Sequence, residues 1–273
     1  MKEYEIEELK DFLNKKRPLS ETALKKIYEN LKTDYVYNSN AIEGNTLTLK
    51  ETQIVLEYGI TVKGKSLNEH IEAKNQAFAL DYLVEEVKNK REIDKRVIKE
   101  FHQIVIGDIN RNIAGKFRVE PVTIGGSETK TVNAFHIEEE LDKLLKWYNN
   151  EKEMNIIDKV AVFHSKFEKI HPFLDGNGRT GRLLMNLELM KEGYPITIIK
   201  NEDRLDYYSA LEKSQTTDDY TDIKNFVREN VKRGIINFLE AIENDWKSEI
   251  EKFLIEKNKK IIRKTKEKEE LEL

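Results

Sequence analysis

Long stretches of 3.6-residue hydrophobic periodicity, seldom interrupted by helix breakers, constrain this chain more than any other feature. Four prolines and twelve glycines are few for 273 residues, so a mainly α-helical protein is expected. Ser20 opens a helix running to about Ile42, with Leu24, Ile27, Leu31 and Tyr35 on one face. Thr48 with Glu51, and Ser66 with Glu69, fit the capping-box pattern ahead of helices at 49–58 and 67–88. Further helices are predicted near 94–106, 136–150, 155–169, 177–191 and 203–215. From Thr221 the series Ile223, Val227, Val231, Ile235, Phe238, Ile242, Trp246, Ile250, Phe253 keeps spacings of three and four without a proline. That pattern predicts one long C-terminal helix, whose outer half can pack on the body or on a second copy of the chain.

The stretch from Ala114 to Val132 is the exception. Phe117-Arg118-Val119 and Pro121-Val122-Thr123-Ile124 read as strand, Gly125-Gly126-Ser127 as a turn, and Thr129 to Val132 as a returning strand. A β-hairpin over 117–132 is therefore expected, and its unpaired edges suit an extended peptide added as a further strand. The chain divides into an N-terminal helical region 1–90, a core 91–220 and a helical extension 221–273.

Composition excludes several classes. No apolar run approaches the roughly 18–20 residues that span a bilayer. The acidic N-terminus lacks a signal peptide's apolar segment, which predicts a cytoplasmic protein without membrane attachment. The absence of cysteine removes disulfides, thiolate nucleophiles and Cys-ligated zinc. Basic and acidic residues, 47 and 51, are interspersed, with a net charge of −4, so no basic face for nucleic acid is expected. The basic stretch 257–268 reads as a solvated helix face or frayed tail.

Chemistry concentrates in residues 171–182, H-P-F-L-D-G-N-G-R-T-G-R. A loop of small residues opening a helix presents unpaired N–H groups and the positive end of the helix dipole, a ready phosphate site. His171 precedes a proline, stands at a helix-to-loop junction, and suits a general base for a hydroxyl nucleophile. Its partner seven residues earlier, His164, lacks a third ligand at metal-binding spacing. Asp175 offers the single carboxylate that Mg²⁺ commonly takes, and could equally cap the next helix. Gly176 and Gly178 allow close backbone approach, Asn177 adds a side-chain donor, and Arg179 and Arg182 are spaced to clamp a polyphosphate.

This run resembles the full signature of the Fic family, H-P-F-x-[D/E]-G-N-G-R-x-x-R. The resemblance extends through G-K-F-R and the hairpin upstream and Y-Y-x-x-L-E downstream, over roughly residues 35–230. It implies an α-helical enzyme that transfers AMP from ATP to a Ser, Thr or Tyr hydroxyl of a protein, releasing pyrophosphate. By resemblance, His171 deprotonates the target hydroxyl and Asp175 holds Mg²⁺ on the α- and β-phosphates. The loop Gly176–Gly178 is then the anion hole with Asn177 on the phosphates, and Arg179 and Arg182 orient the outer phosphates, with Thr180 and Gly181 completing the nucleotide-binding stretch. The hairpin corresponds to the family's flap, with Ile124, Gly125, Gly126 and Ser127 beside the nucleotide and its edge aligning the target, which can be the chain itself. Tyr207 and Tyr208 match a tyrosine pair at the adenine, and Gln215 falls where relatives often carry Asn. The sibling Doc kinases carry Lys where this chain has Gly178, which favours adenylylation over phosphorylation.

A second motif lies at residues 39–45, S-N-A-I-E-G-N, at a predicted helix end where Gly44 can form a left-handed cap. Glu43 there opposes the helix dipole unless a cation offsets it. The spacing Ser39, Glu43, Gly44 resembles the Fic inhibitory motif, which implies that Glu43 pairs with Arg182 and keeps ATP from productive binding. The same glutamate in some relatives positions a water for AMP removal. Four readings stay open: AMP transfer, AMP removal, transfer from another nucleotide, and a catalytically silent helical adaptor. No winged-helix pattern follows residue 221 to suggest a DNA-binding regulator.

Overall fold

The structure, a computed structural model, describes residues 4–271. The helices are α1 (Ile6–Lys15), α2 (Glu21–Ile42), α3 (Leu49–Tyr58), α4 (Leu67–Lys88), α5 (Lys95–Ile106) and α6 (Ile137–Asn150), then α7 (Ile156–Ile170), α8 (Asn177–Lys191), α9 (Arg204–Thr217), α10 (Thr221–Ile242) and α11 (Trp246–Leu271). From α2 through α9 the bounds fall within two residues of the predicted ones, while α1 is not among the predicted helices. Both expected capping boxes close, Thr48 with Glu51 and Ser66 with Glu69, and Asp94 and Asn155 cap α5 and α7. Among the described residues no helix is long and apolar enough to cross a membrane.

Helix α8 forms the centre. It packs against α4, α5 and α7, while α7 also meets α6, α9 and α10. A helix covered on several sides is apolar nearly all round rather than along one stripe. Leu183, Leu184, Met185, Leu187 and Leu189 are each at most 1% exposed, and each such burial contributes roughly 1.5–3 kcal/mol. The loop 171–176, joining α7 to α8, is thereby anchored at both ends in the buried core.

Three sequence expectations are corrected. First, no strand forms over 117–132, nor elsewhere among the described residues. The segment is an extended loop with a turn at Gly126 (φ +74), where the Ser127 amide donates to the Ile124 carbonyl. The Arg118 guanidinium accounts for the missing ladder: it donates to the carbonyls of Glu120 and Val132, which a hairpin would give to cross-strand amides. Second, the C-terminal periodicity is split between α10 and α11. Glu243 takes an extended conformation (φ −147, ψ 111), and Asn244-Asp245 supply residue types that favour helix starts. The break turns Trp246 onto Tyr4 and Phe253 onto Phe12, with ring centroids 6.0 and 5.6 Å apart, so α11 packs on α1. Third, Leu24 is 43% exposed, and the buried face of α2 starts at Ile27. The basic stretch 257–268 continues α11, but most of its side chains lie outside the described residues.

Candidate active site

The loop between α7 and α8 is held by side chains that bond to its backbone. His171 ends α7 in the left-handed region (φ 49, ψ 61), a strained place for a residue with a Cβ. Its amide donates to the Phe167 carbonyl at 3.0 Å, and its carbonyl accepts from Arg118 Nε at 2.7 Å. The Asn177 amide closes on one residue: Oδ1 accepts from the Phe173 amide and Nδ2 donates to the Phe173 carbonyl, both at 2.9 Å. Asn177 is thus a clamp within the loop, its side chain bonded to Phe173. His102, on α5, stacks face to face on Phe173 at 3.6 Å between centroids. Its Nδ1 accepts from the Gly115 amide and its Nε2 donates to the Asp175 carbonyl, both at 2.9 Å. Burial lowers its pKa to about 4, so the ring stays neutral in that tautomer.

Beside this loop lies a cavity of about 530 Å³, lined by residues of every expected group: Glu43, Ile124 to Ser127, His171, Gly178, Arg182, Tyr207, Tyr208 and Gln215. Helix α9 fastens the flap segment to it. Glu212 accepts from the Ser127 hydroxyl (2.8 Å) and the Glu128 amide, and Gln215 accepts from the Thr129 hydroxyl (2.8 Å) while donating to the Ser165 carbonyl (3.1 Å). Gln215 therefore spends its amide on the scaffold. Tyr207 is buried, with its hydroxyl 2.7 Å from His164 Nε2, and the Tyr208 hydroxyl donates to the Ile42 carbonyl at 3.1 Å.

Asp175, Gly176, Asn177, Arg179, Thr180 and Gly181 do not line this cavity. The guanidinium groups of Arg179 and Arg182 diverge. Arg179 reaches Glu72 on α4 and Asp175, each at 3.2 Å. Arg182, 2% exposed, turns to α2: Nε donates to Ser39 Oγ (3.1 Å), and Nη2 donates to the Ser39 carbonyl (2.7 Å) and Glu43 Oε1 (2.8 Å). Gly44 follows with φ +98, the left-handed end expected of α2. A methyl group on Gly178 would come within 2.3 Å of Glu43 Oε1, so the carboxylate lies against the first turn of α8. No side chain caps that turn; Gly176, with φ 77, precedes it. The Glu43 carboxylate therefore occupies the position an anion would take at this helix start.

His171 lines the same cavity, with Nδ1 3.2 Å from the Glu168 carbonyl. A carbonyl only accepts, so in the neutral ring Nδ1 carries the proton and Nε2 keeps its lone pair. Burial lowers the His171 pKa below the ordinary imidazole value, favouring that neutral form. The Asp175 side chain is 60% exposed, and its Oδ1 accepts from the Gly176 amide at 2.6 Å. One exposed carboxylate fits Mg²⁺, which fills its remaining positions with phosphate oxygens and water. Sequence reasoning assigned no role to Arg118, His102 or Glu168. The first two bond to main-chain carbonyls, which leave no spacing pattern, and Glu168 falls at an ordinary helical position.

Residues 92–189 match the model of the Fic/DOC family. The sequence is 37% identical over 211 residues (76% of this chain) to protein adenylyltransferase fic-1 of Caenorhabditis elegans, and 36% identical over 77% of this chain to protein adenylyltransferase Fic of Drosophila ananassae. The chain spans 40% and 41% of the length of these two curated relatives. A solved structure of part of C. elegans Fic-1 has a TM-score of 0.78 at 33% identity, covering 87% of this chain and 70% of that one. A Fic domain containing signaling protein from Bacteroides thetaiotaomicron also scores 0.78, at 26% identity over 86% of this chain and 97% of that one. With His171, Gly178 and Arg182 of the twelve-residue run lining one cavity, and with sequence and structure similar to Fic proteins over most of its length, the chain belongs to the Fic/DOC family.

Proposed function

We propose that this chain is a protein adenylyltransferase, held off at rest by its own Glu43. The observation that carries the reading is the cavity itself, where an imidazole with a bare Nε2, an uncapped helix start and a buried guanidinium face one space. ATP lies with its adenine near Tyr207 and Tyr208, under the flap at Ile124 to Ser127, and its phosphates toward Gly178 and Arg182. His171 Nε2 takes the proton from a Ser, Thr or Tyr hydroxyl of a target protein held along the flap. The hydroxyl oxygen bonds to the α-phosphorus, the α–β phosphoanhydride bond breaks, and pyrophosphate leaves. Asp175 would hold Mg²⁺, which supplies charge neutralisation on the phosphates. The core 91–220 carries this chemistry, with 1–90 contributing the brake and 221–273 a helical support open to a second copy of the chain.

At rest Glu43 supplies the negative charge that the outer phosphate needs to supply, so it competes with ATP for Arg182. The test is transfer of label from ATP with Mg²⁺, to the chain itself and to lysate proteins. Glu43→Gly should raise labelling well above wild type, and His171→Ala in that background should abolish it. Equal labelling by wild type and Glu43→Gly would refute the brake, and labelling that survives His171→Ala would refute the base. One observation favours a second activity: Glu43 shares the cavity with His171, so a carboxylate is available to hold a water against an AMP ester. Release of AMP from a premodified target by wild type, and not by Glu43→Gly, would establish that direction.

A further inference from the structure

Two further carboxyl groups share the cavity with Glu43: Glu212, which binds the flap, and Glu168, which has no part in the proposed transfer. Glu168 projects from α7 toward α8, 6% exposed, with Oε1 buried and without a hydrogen-bond partner. A methyl group on Gly181 would come within 2.2 Å of that oxygen, so glycine at 181 is what gives the carboxyl its place against α8. The next residue is Arg182, whose Nη1 is likewise buried without a partner. Glu168, Glu43, His171 and Arg182 all line one cavity, with Arg204 and Glu212 from α9, so the Arg182 guanidinium shares its space with both the Glu43 and the Glu168 carboxyl groups. Only Glu43 is bonded to it at rest.

We propose that Glu168 is a positioning residue, a reserve counter-charge for Arg182 that ionises when Glu43 withdraws, so that opening the brake releases one proton. This rests on the reading of Glu43 as the brake. With Glu43 seated, the Arg182 charge is already neutralised, and a second buried carboxylate would be an unpaired negative charge. Glu168 therefore keeps its proton: burial, against the attraction of Arg182 and with the repulsion of Glu43, lifts its pKa to about 8. When Glu43 leaves and before the outer phosphate takes its place, Arg182 is the unpaired charge, and Glu168 yields its proton to solvent and becomes the carboxylate beside it. The proton is bound in the closed state, so acid favours closing and rising pH favours opening, up to the closed-state value of about 8.

The other groups facing Glu168 do not titrate in that window. From α2, Tyr35 is raised by burial to about 12. From α7, His164 is lowered by burial and by Arg182 to about 3, and from α9 burial raises Tyr207 well above its ordinary value. Arg182 on α8 stays charged throughout. His171 titrates below its ordinary value, and loss of the Glu43 charge, which raises it, moves it further down, away from that window.

The experiment is the ratio of wild-type to Glu43→Gly transfer rates, measured with labelled ATP between about pH 6.5 and 8.5, a window that lies above the His171 titration in both chains. The ratio should rise by up to about tenfold per pH unit and level off above about pH 8, whereas with Glu168→Gln in both chains it should be flat. Glutamine reproduces the protonated carboxyl, so the closed state keeps its fold, which a melting curve checks. Independently of activity, carboxyl-carbon NMR of glutamate-labelled protein, assigned by the signal lost in Glu168→Gln, should show a lower Glu168 midpoint in Glu43→Gln than in wild type. An unchanged midpoint, or a slope that persists in Glu168→Gln, overturns the proposal. Absence of transfer by Glu43→Gly at every pH instead overturns the adenylyltransferase reading, while the NMR midpoint still decides the coupling of the two carboxyl groups.

Discussion

Arg118 should matter for catalysis although it lies outside the twelve-residue run. Its side chain is buried, and its guanidinium bonds to the carbonyls of His171 (2.7 Å), Glu120 (2.8 Å), Val132 and, more weakly, Ile170 (3.4 Å), while its own amide donates to the Pro172 carbonyl. Hydrogen bonds from a charged donor contribute about 1.5–3 kcal/mol each net of water. In Arg118→Ala the exposed Glu120 and partly exposed Val132 can regain solvent, so most of the loss falls on the bond to His171 and on the buried stem of Arg118. A destabilisation of about 3 kcal/mol follows. The chemical step suffers as well, because His171 holds a left-handed conformation that this bond helps to enforce. A misplacement on the order of 1 Å costs about 100-fold in rate, so kcat in the Glu43→Gly background should fall by roughly that factor. Denaturant unfolding and single-turnover AMP transfer measure the two effects separately. Arg118→Lys keeps the charge but presents one nitrogen to four carbonyls, and should recover only part of each loss. If Arg118→Ala unfolds within 0.5 kcal/mol of its parent and transfers AMP at the parent rate, the loop is held by other means and the reasoning fails.

Ser39 and Glu43 both touch Arg182 but should act in opposite senses. Ser39→Ala in the Glu43→Gly background removes the acceptor of Arg182 Nε, a loss of about 1 kcal/mol, so kcat/KM for ATP should drop about fivefold where Glu43→Gly alone raises it; a gain would place Ser39 purely in the brake. For Glu43→Gly the pH profile of kcat/KM should stay flat through neutrality and fall with acid only below the ordinary imidazole value near 6.5, since burial holds the His171 pKa down and the base needs its lone pair; an acid limb centred above about pH 7 would contradict that assignment.

The elements that the sequence made legible are those specified by local chemistry. Helices from α2 to α9 announced themselves through periodicity and caps, and both capping boxes formed at the predicted residues. The pairing of Glu43 with Arg182, residues 139 positions apart, was legible only through resemblance, because no local pattern links them. What stayed hidden depends on tertiary surroundings. Arg179 and Arg182 share a spacing that makes them neighbours on an isolated helix, yet α8 is enclosed, so adjacent positions face different partners, Glu72 on α4 and Ser39 on α2. Strand-like composition over 117–132 fitted an extended chain equally well once Arg118 had taken the carbonyls a ladder requires. Nothing in the sequence around Glu243 forced a break; the packing of Trp246 on Tyr4 and of Phe253 on Phe12 accounts for it.

Helix α9 separates what the cavity holds ready from what it withholds. Glu212 and Gln215 bind the flap, and Tyr207 and Tyr208 form a wall, all from one helix that packs on α7 and α10. That half of the cavity takes its shape without help from the brake, apart from the Tyr208 hydroxyl on the Ile42 carbonyl. At the phosphate end, by contrast, α2 supplies all three hydrogen bonds that Arg182 makes through its side chain, two from Ser39 and one from Glu43. The Glu43 side chain is 33% exposed while Arg182 is 2% exposed, so the carboxylate is the partner that can swing away with the guanidinium left in position. On the proposed reading, opening needs no rebuilding of the nucleoside site and no unfolding of α2, only the exchange of one carboxylate for another anion at Arg182. A regulator of this chain would act most economically on the segment 43–45 after α2, where a shift of a few ångströms moves the brake and leaves the base, the flap and the arginine where chemistry needs them.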